Sequence, residues 1–165
     1  MNKLFNEDCL TALKDNSIDV MKSMDQLQIG KAGEYLVCAD LILKGFIAFP
    51  SEQGLPFDVV LSTNDRLYKI QVKTTRGLMP VPQRTKRTDK YLFYVKRCGK
   101  GGTKEYRYKD VDIFALVALD TKMIGYVTPD EVKSTIHFLP ETGIIVKKNR
   151  CKCKKLSEYK IEQCL

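Results

Sequence analysis

The segment 56–75 constrains the fold more than any other part of the chain, because apolar and polar residues alternate on both sides of Asn64-Asp65. If Asn64-Asp65 form a two-residue turn, the loop length sets which residues face each other across a β-hairpin. Every second side chain then lies on one apolar face. The predicted facing pairs on that face are Phe57 with Val72, Val59 with Ile70, and Leu61 with Tyr68.

The opposite face of this hairpin is polar. It carries Asp58 opposite Gln71, with Lys69 and Lys73 beside them. A carboxylate, an amide and an ammonium group on one strand surface can form a functional site. Antiparallel strands with one solvated face routinely show the same alternation, so the pattern alone also fits a plain solvated surface.

The order of residues in this hairpin resembles a known motif. Pro56-Phe57-Asp58 is followed in the next strand by Gln71-Val72-Lys73. Together they resemble the two half-motifs of the PD-(D/E)XK nuclease superfamily, and the resemblance covers residues 26–129. Phe57 separates the proline from the acidic residue, and Gln71 stands where an Asp or Glu is usual. The Gln form is similar to the branch that contains a cyanobacterial group I intron homing endonuclease.

The resemblance implies an α/β fold with a restriction-endonuclease-like core, in which a central mixed β-sheet is flanked by helices. It implies hydrolysis of DNA phosphodiester bonds with Mg²⁺ or Mn²⁺. The implied catalytic residues are Glu34, Asp58, Gln71 and Lys73. The metal would be bound by Asp58, Gln71 and the main-chain carbonyl of Val72, with Glu34 holding a bound water or a second metal. Lys73 would orient or deprotonate the attacking water and stabilise charge on the phosphate.

Residues 26–44 are predicted to form the one long helix, with Asp25 as its N-cap and Gly45 as its C-terminal stop. Apolar residues recur at helical spacing and predict a face buried against a sheet. The residues of this face are Ile29, Ala32, Gly33, Leu36, Val37 and Leu41, widened by Ile42 and Leu43.

Two glycines inside this helix indicate that its backbone passes close to the sheet. Gly30 and Gly33 are poor helix residues, so a close approach is the simplest reason for them. Such an approach would bring Glu34 near the polar face of the hairpin. The alternative is a surface carboxylate paired with Lys31.

The rest of the chain predicts further short elements around this core. A buried strand is predicted at 112–119, because its residues are continuously apolar. The other predicted elements are a first strand at 46–50, a polar loop at 51–55, strands at 92–96 and 123–128, a short helix from Pro129 to about Ser134, an edge hairpin of 135–139 with 143–147, and a last helix towards Leu165.

Residues 76–109 carry eleven basic residues against two acidic ones, with tyrosine and phenylalanine interleaved. Such a local excess suits contacts with DNA phosphates, and the net charge of +8 also favours an anionic partner. A solvated face backed by a β-hairpin is the alternative. The predicted DNA-binding residues are Arg76, Arg84, Lys86, Arg87, Lys96, Arg97, Lys100 and Arg107.

Residues 1–24 are predicted to be an N-terminal lead-in, and residues 25–165 a single nuclease-like domain. The lead-in resembles the opening of amino-methyltransferases from restriction and modification systems, but no Asp-Pro-Pro-Tyr follows it. No Gly-rich loop after a strand could hold S-adenosylmethionine, so methyl transfer lacks a site.

The sequence contains no run of about 18 apolar residues and no signal-peptide pattern, so we expect a cytoplasmic protein that does not enter a membrane. None of the six cysteines has a Cys-x-x-Cys spacing, and they are expected to be reduced. Cys151, Cys153 and Cys164 could alternatively bind a metal or form a disulfide. The single histidine, His137, is expected in a strand rather than in a catalytic role.

Cleavage of both DNA strands usually requires two active sites, so a homodimer or homotetramer is expected. Three other functions stay open beside a homing or restriction-like endonuclease. One is a structure-selective nuclease similar to a Holliday junction resolvase. Another is a DNA-binding module with a decayed active site, suggested by Gln71. A methyltransferase fragment acting as a partner subunit would depend on the lead-in alone.

Overall fold

The computed structural model describes residues 23–80, 89–99, 102–104, 110–132, 134–141 and 154–165. The helix and strands are α1 (Gln26–Leu43), β1 (Ile47–Pro50), β2 (Val59–Ser62), β3 (Leu67–Thr75), β4 (Tyr91–Tyr94), β5 (Arg97–Gly99), β6 (Gly102–Lys104), β7 (Ile113–Ala118), β8 (Met123–Val127) and β9 (Thr135–Phe138). A five-stranded sheet has the order β1-β2-β3-β7-β8. It is mixed, because β3 and β7 are parallel and the other neighbours are antiparallel. Residues 1–22 of the predicted lead-in lie outside the described residues.

The hairpin of β2 and β3 has the predicted register over its paired length. Val59 faces Ile70 and Leu61 faces Tyr68, and all four side chains are buried in the same core. The predicted pair of Phe57 with Val72 is wrong. The amide of Asp58 donates to the carbonyl of Ile70 at 2.9 Å. Asp58 and Val59 thus both lie opposite Ile70, as in a β-bulge, and Phe57 is half-buried outside the core.

Helix α1 begins where the sequence predicts and ends at Leu43, one residue before the predicted end. Asp25 Oδ1 accepts the amide of Gln28 at 2.7 Å, and Gln28 Oε1 accepts the amide of Asp25 at 3.0 Å, which is a capping box. Gly45 has a φ of 86°, the left-handed conformation that ends many helices. The predicted widening of the buried face is wrong. Ile42 and Leu43 are 55% and 87% exposed, because each residue turns about 100° and both point away from buried Leu41.

The close approach of α1 to the sheet is real at one of the two glycines. A Cβ placed on Gly33 would lie 2.0 Å from Oγ1 of Thr74 in β3. A Cβ on Gly30 would meet nothing within 4 Å, so the prediction of a close approach is wrong there. Gly33 therefore sets the distance between α1 and β3.

Strand β7 is the buried centre of the molecule, as its apolar sequence predicts. All six of its residues are buried. Alternate residues face α1 on one side of the sheet and the pair of β4 and β9 on the other. In the described residues, the second face is thus covered by a two-stranded sheet and not by another α-helix.

Strand β9 pairs antiparallel with β4. The sequence did not indicate this partner for β9. The predicted hairpin of 135–139 with 143–147 stays a prediction, because 143–147 lie outside the described residues. His137 lies exposed in β9, as predicted for a strand residue. Pro129 begins a short 3₁₀ helix, Pro129–Glu131, and the C-terminal tail forms two 3₁₀ turns at Leu156–Glu158 and Ile161–Gln163.

Among the cysteines whose side chains are described, Cys38 and Cys164 are free thiols. None of the described helices is long and apolar enough to span a membrane.

Candidate active site

A cleft of about 490 Å³ lies between the first turns of α1 and the loop that precedes β2. Glu34 lines it from the helix, and Asp58 lines it from the end of the loop. The two ends of the loop are joined to each other, because the main-chain amide of Ser51 donates a hydrogen bond to the carbonyl of Asp58 at 2.9 Å. Glu52, which is exposed, lines the cleft as well, so helix and loop present three carboxylates to one space.

Asp58 is held by the neighbouring strand. Its Oδ2 accepts the main-chain amide of Val72 at 2.8 Å and the side-chain amide of Gln71. Burial raises the pKa of the Asp58 carboxyl, and the negative charge of Glu34 raises it further. The amide of Val72 and the charges of Lys73 and Lys31 lower this pKa, but they do not offset the burial.

Gln71 joins two oxygens that point into the same space. Its side chain is buried at 7% exposure. Its Nε2 donates to Oδ2 of Asp58 and to the main-chain carbonyl of Val72, the latter at 3.3 Å. The predicted neighbours Asp58 and Gln71 are thus in direct contact.

Lys73 follows Gln71 by one strand repeat and lies on the same face of β3. It is half-buried. Its positive charge acts on Asp58 and lowers the pKa of that carboxyl, which places the two groups in one electrostatic environment.

Glu34 both lines the cleft and forms an ion pair. Its Oε2 lies 2.6 Å from Nζ of Lys31, and its side chain is 18% exposed. The hydrogen bond to Glu34 raises the pKa of Lys31. The surface pairing expected as an alternative for Glu34 is therefore present, in the same place as the cleft. Lys31 belongs to this site as well, and its spacing of three residues from Glu34 on a helix is the signal that could have indicated it.

The predicted DNA-binding residues are placed unevenly. Arg76 is exposed, and its guanidinium donates to the main-chain carbonyl of Met24. Lys96 lies in the short segment of chain that links β4 to β5, and it is half-buried. Arg97 is the first residue of β5. The others lie outside the described residues: Arg84, Lys86, Arg87, Lys100 and Arg107.

Two of the aromatic residues interleaved with these basic residues are structural. Tyr91 and Phe93 are 3% and 2% exposed and pack in the core on the second face of the sheet. Tyr94 is 65% exposed. Alternation along β4 therefore leaves Tyr94, and not Tyr91 or Phe93, available to a nucleic acid.

The donor set at this site fits a hard divalent cation. In the described part of the chain, no group of three or more His, Cys, Asp or Glu side chains could hold a metal. Amide and main-chain oxygens would have to complete the ligands. Oδ2 of Asp58 and the carbonyl of Val72 already converge on one polar atom, Nε2 of Gln71, and Glu34 adds a carboxylate across the cleft. All-oxygen sets of this kind suit Mg²⁺ and Mn²⁺.

Comparisons with known proteins support the fold and a family. A family model described as PD-(D/E)XK endonuclease matches residues 24–159. No curated protein matches the sequence. Among solved structures, that of a bacterial homing endonuclease, I-Ssp6803I, is similar with a TM-score of 0.58 and 14% identity, over 85% of this chain and 91% of that chain. The predicted α/β fold with a restriction-endonuclease-like core is therefore confirmed.

Proposed function

Because the chain belongs to the PD-(D/E)XK endonuclease family, we propose that it is a divalent-metal-dependent endonuclease that hydrolyses phosphodiester bonds in DNA. The observation that carries the proposal is the hydrogen bond from Gln71 to Asp58, which feels the charge of Lys73 and lies beside a cleft that Glu34 also lines. Membership of the family supports a nuclease. Metal dependence and the identity of the site residues are our proposal.

Four oxygen donors would hold Mg²⁺ or Mn²⁺. They come from Asp58, the main-chain carbonyl of Val72, the side-chain carbonyl of Gln71, and Glu34. A bound cation of this kind supplies Lewis-acid stabilisation of a phosphoryl oxygen and lowers the pKa of water. The neutral Gln71 lowers the negative charge of the donor set by one unit relative to a glutamate, which weakens cation binding and also lessens repulsion of the phosphate.

Lys73 acts on the attacking water and on the phosphate. Its ammonium group lies in the electrostatic environment of Asp58 and can orient or deprotonate a water there. It can also stabilise the negative charge that develops on the phosphate. A lysine that only paired with Asp58 would contribute about 0 to 1 kcal/mol to folding if exposed, and nothing to the reaction.

DNA is the proposed substrate and partner. The net charge of +8 and the basic residues of 76–109 support it, since phosphate contacts require such charge. The similar solved structure is that of a homing endonuclease, which favours a homing or restriction-like role. We further propose one nuclease-like domain at 25–165, a homodimer or homotetramer that brings two sites to two strands, and a cytoplasmic location.

A DNA-binding module with a decayed active site is the second candidate. It is favoured by Gln71, because Nε2 lies between the two oxygens that a cation would need. In that case the hairpin would be retained only for its structure.

A plasmid cleavage assay separates the two candidates. Supercoiled plasmid is incubated with Mg²⁺ or Mn²⁺ and with wild type, Asp58→Ala or Lys73→Ala. Glu52→Ala is the matched control, because Glu52 is an exposed carboxylate that lines the same cleft. Cleavage by wild type and Glu52→Ala alone supports the endonuclease. Intact plasmid with all four proteins, together with retained DNA binding, supports the decayed module.

A further inference from the structure

The side-chain amide of Gln71 has one orientation open to it in the protein without a cation. It faces Oδ2 of Asp58 and the main-chain oxygen of Val72, and a carboxylate and a carbonyl oxygen are both acceptors. The amide oxygen in that position would meet two oxygens with no proton between them. The NH₂ group must therefore face them, and it satisfies both.

A divalent cation held by the same two oxygens would reverse that requirement. The NH₂ group carries partial positive charge, so it would be repelled, whereas the amide oxygen would be attracted. Rotation of the terminal amide of Gln71 exchanges the two atoms without moving β3.

We propose that Gln71 is a positioning residue whose amide turns over when the cation binds. Nε2 holds Asp58 and the Val72 carbonyl together without the cation, and Oε1 replaces it as a ligand with the cation. The inference rests on the proposed metal site and adds a specific role for the glutamine that departs from the family pattern.

When no cation is bound, an amide suits this buried position better than a carboxylate does. Asp58 is half-buried, and the carboxylate of Glu34 lines the same cleft. A second carboxylate facing Oδ2 would leave two buried anions in contact without a donor, which is costly. Without a cation the glutamine donates to both oxygens, and a cation must displace these two hydrogen bonds in order to bind. Mg²⁺ should therefore bind more tightly to Gln71→Glu than to wild type, by about tenfold or more.

The side-chain NH₂ signals of the whole protein in ¹H–¹⁵N NMR report the turnover directly. Gln71→Glu identifies the Gln71 pair of signals, because it removes them. Without a cation these signals should be protected from hydrogen exchange. On saturation with Mg²⁺ they should shift and lose that protection. Gln163 is the matched control: its Oε1 accepts the amide of Lys160 in the C-terminal turn, so its NH₂ signals should stay unchanged.

Calorimetric titration with Mg²⁺ alone, on wild type, Asp58→Asn and Gln71→Glu, separates failure of this inference from failure of the proposed function. Suppose that wild type binds Mg²⁺ and that Asp58→Asn does not. If the Gln71 signals of wild type then keep their chemical shift and protection on saturation with Mg²⁺, the turnover is wrong and the metal site remains supported. Binding by Gln71→Glu alone also contradicts the turnover, since the cation then never displaces the amide. No binding by any of the three proteins overturns both proposals.

Discussion

The carboxylate of Asp58 accepts a hydrogen bond from the main-chain amide of Val72 at 2.8 Å. A side chain thus provides the acceptor for β3 at the point where main-chain pairing with β2 stops. The ladder between β2 and β3 ends with Val59 opposite Ile70, and the amide of Asp58 is bonded to Ile70 as well. The main chain of β3 therefore sets the position of the carboxylate. Its orientation towards Gln71 does not depend on a flexible loop.

Replacing Asp58 by asparagine should stabilise the metal-free protein while abolishing cleavage. The amide oxygen of Asn can still accept the bond from Val72, and no buried charge remains. The free energy of unfolding at pH 7 should therefore be higher for Asp58→Asn than for wild type. Urea denaturation in the presence of EDTA measures it.

The pH dependence of this gain has a definite sign. Asp58 has a folded-state pKa above its ordinary value of 3.8, so its contribution to stability is fully present below pH 3.8 and is lost as pH rises through the folded-state pKa. The gap between Asp58→Asn and wild type should be largest at neutral pH and should close towards pH 4. A gap that stayed constant over this range would show that Asp58 carries no burial penalty.

Replacing Lys73 by alanine should slow DNA cleavage by about 10²-fold or more, because it removes proton transfer and charge stabilisation. Binding of DNA should weaken only slightly, since one ammonium among many basic residues is lost. Lys69→Ala is the matched control, because Lys69 lies on the same face of β3 and should leave the rate largely unchanged. Equal rates for Lys73→Ala and wild type would reduce Lys73 to a structural ion pair.

The register of the hairpin and the start of α1 can be predicted from the sequence because their main constraints are local. A two-residue turn and the period of two along a strand determine that Leu61 faces Tyr68 and that Val59 faces Ile70, which leaves Asp58 just beyond the paired residues. Likewise, Asp25 and Gly45 bound α1 by interactions within one or two turns of the helix. Side chains whose neighbours are set by backbone periodicity can be placed without knowing the rest of the fold.

Features that depend on distant parts of the chain were missed. The bulge at Asp58 breaks the alternation that would have buried Phe57, and nothing in the alternation itself signals it. Strand β9 pairs with β4 across a long separation in sequence, whereas local reasoning favoured a neighbouring partner. Gly30 and Gly33 are indistinguishable as residues, and only the position of Thr74 gives one of them a role.

Tyr126→Phe should destabilise the protein by about 1 to 2 kcal/mol. The hydroxyl of Tyr126 donates to Oδ2 of Asp40 at 2.6 Å and ties β8 to the last turns of α1, and Tyr126 is 1% exposed. Urea denaturation measures the loss. Lys44→Ala removes the other partner of Asp40, an exposed ion pair at 2.6 Å, and should cost less than about 1 kcal/mol. A larger loss for Lys44→Ala than for Tyr126→Phe would contradict this ranking.

Gly33→Ala and Gly30→Ala should have opposite effects although they add the same methyl group to the same helix. At Gly33 the methyl carbon would lie 2.0 Å from Oγ1 of Thr74, so α1 must move away from β3 at a cost of about 1 to 3 kcal/mol. At Gly30 it meets nothing within 4 Å, and the better helix propensity of alanine should add about 0.5 to 1 kcal/mol.

The same pair tests whether the position of α1 matters to cleavage. Gly33 precedes Glu34, so a shift of α1 at Gly33 moves the Glu34 carboxylate relative to Asp58. Cleavage at a temperature where all variants are folded should fall for Gly33→Ala and stay unchanged for Gly30→Ala. Adding Thr74→Ala to Gly33→Ala removes Oγ1 and should restore part of both stability and activity. Stability restored without activity would separate the packing of α1 from any role of Glu34 in the reaction.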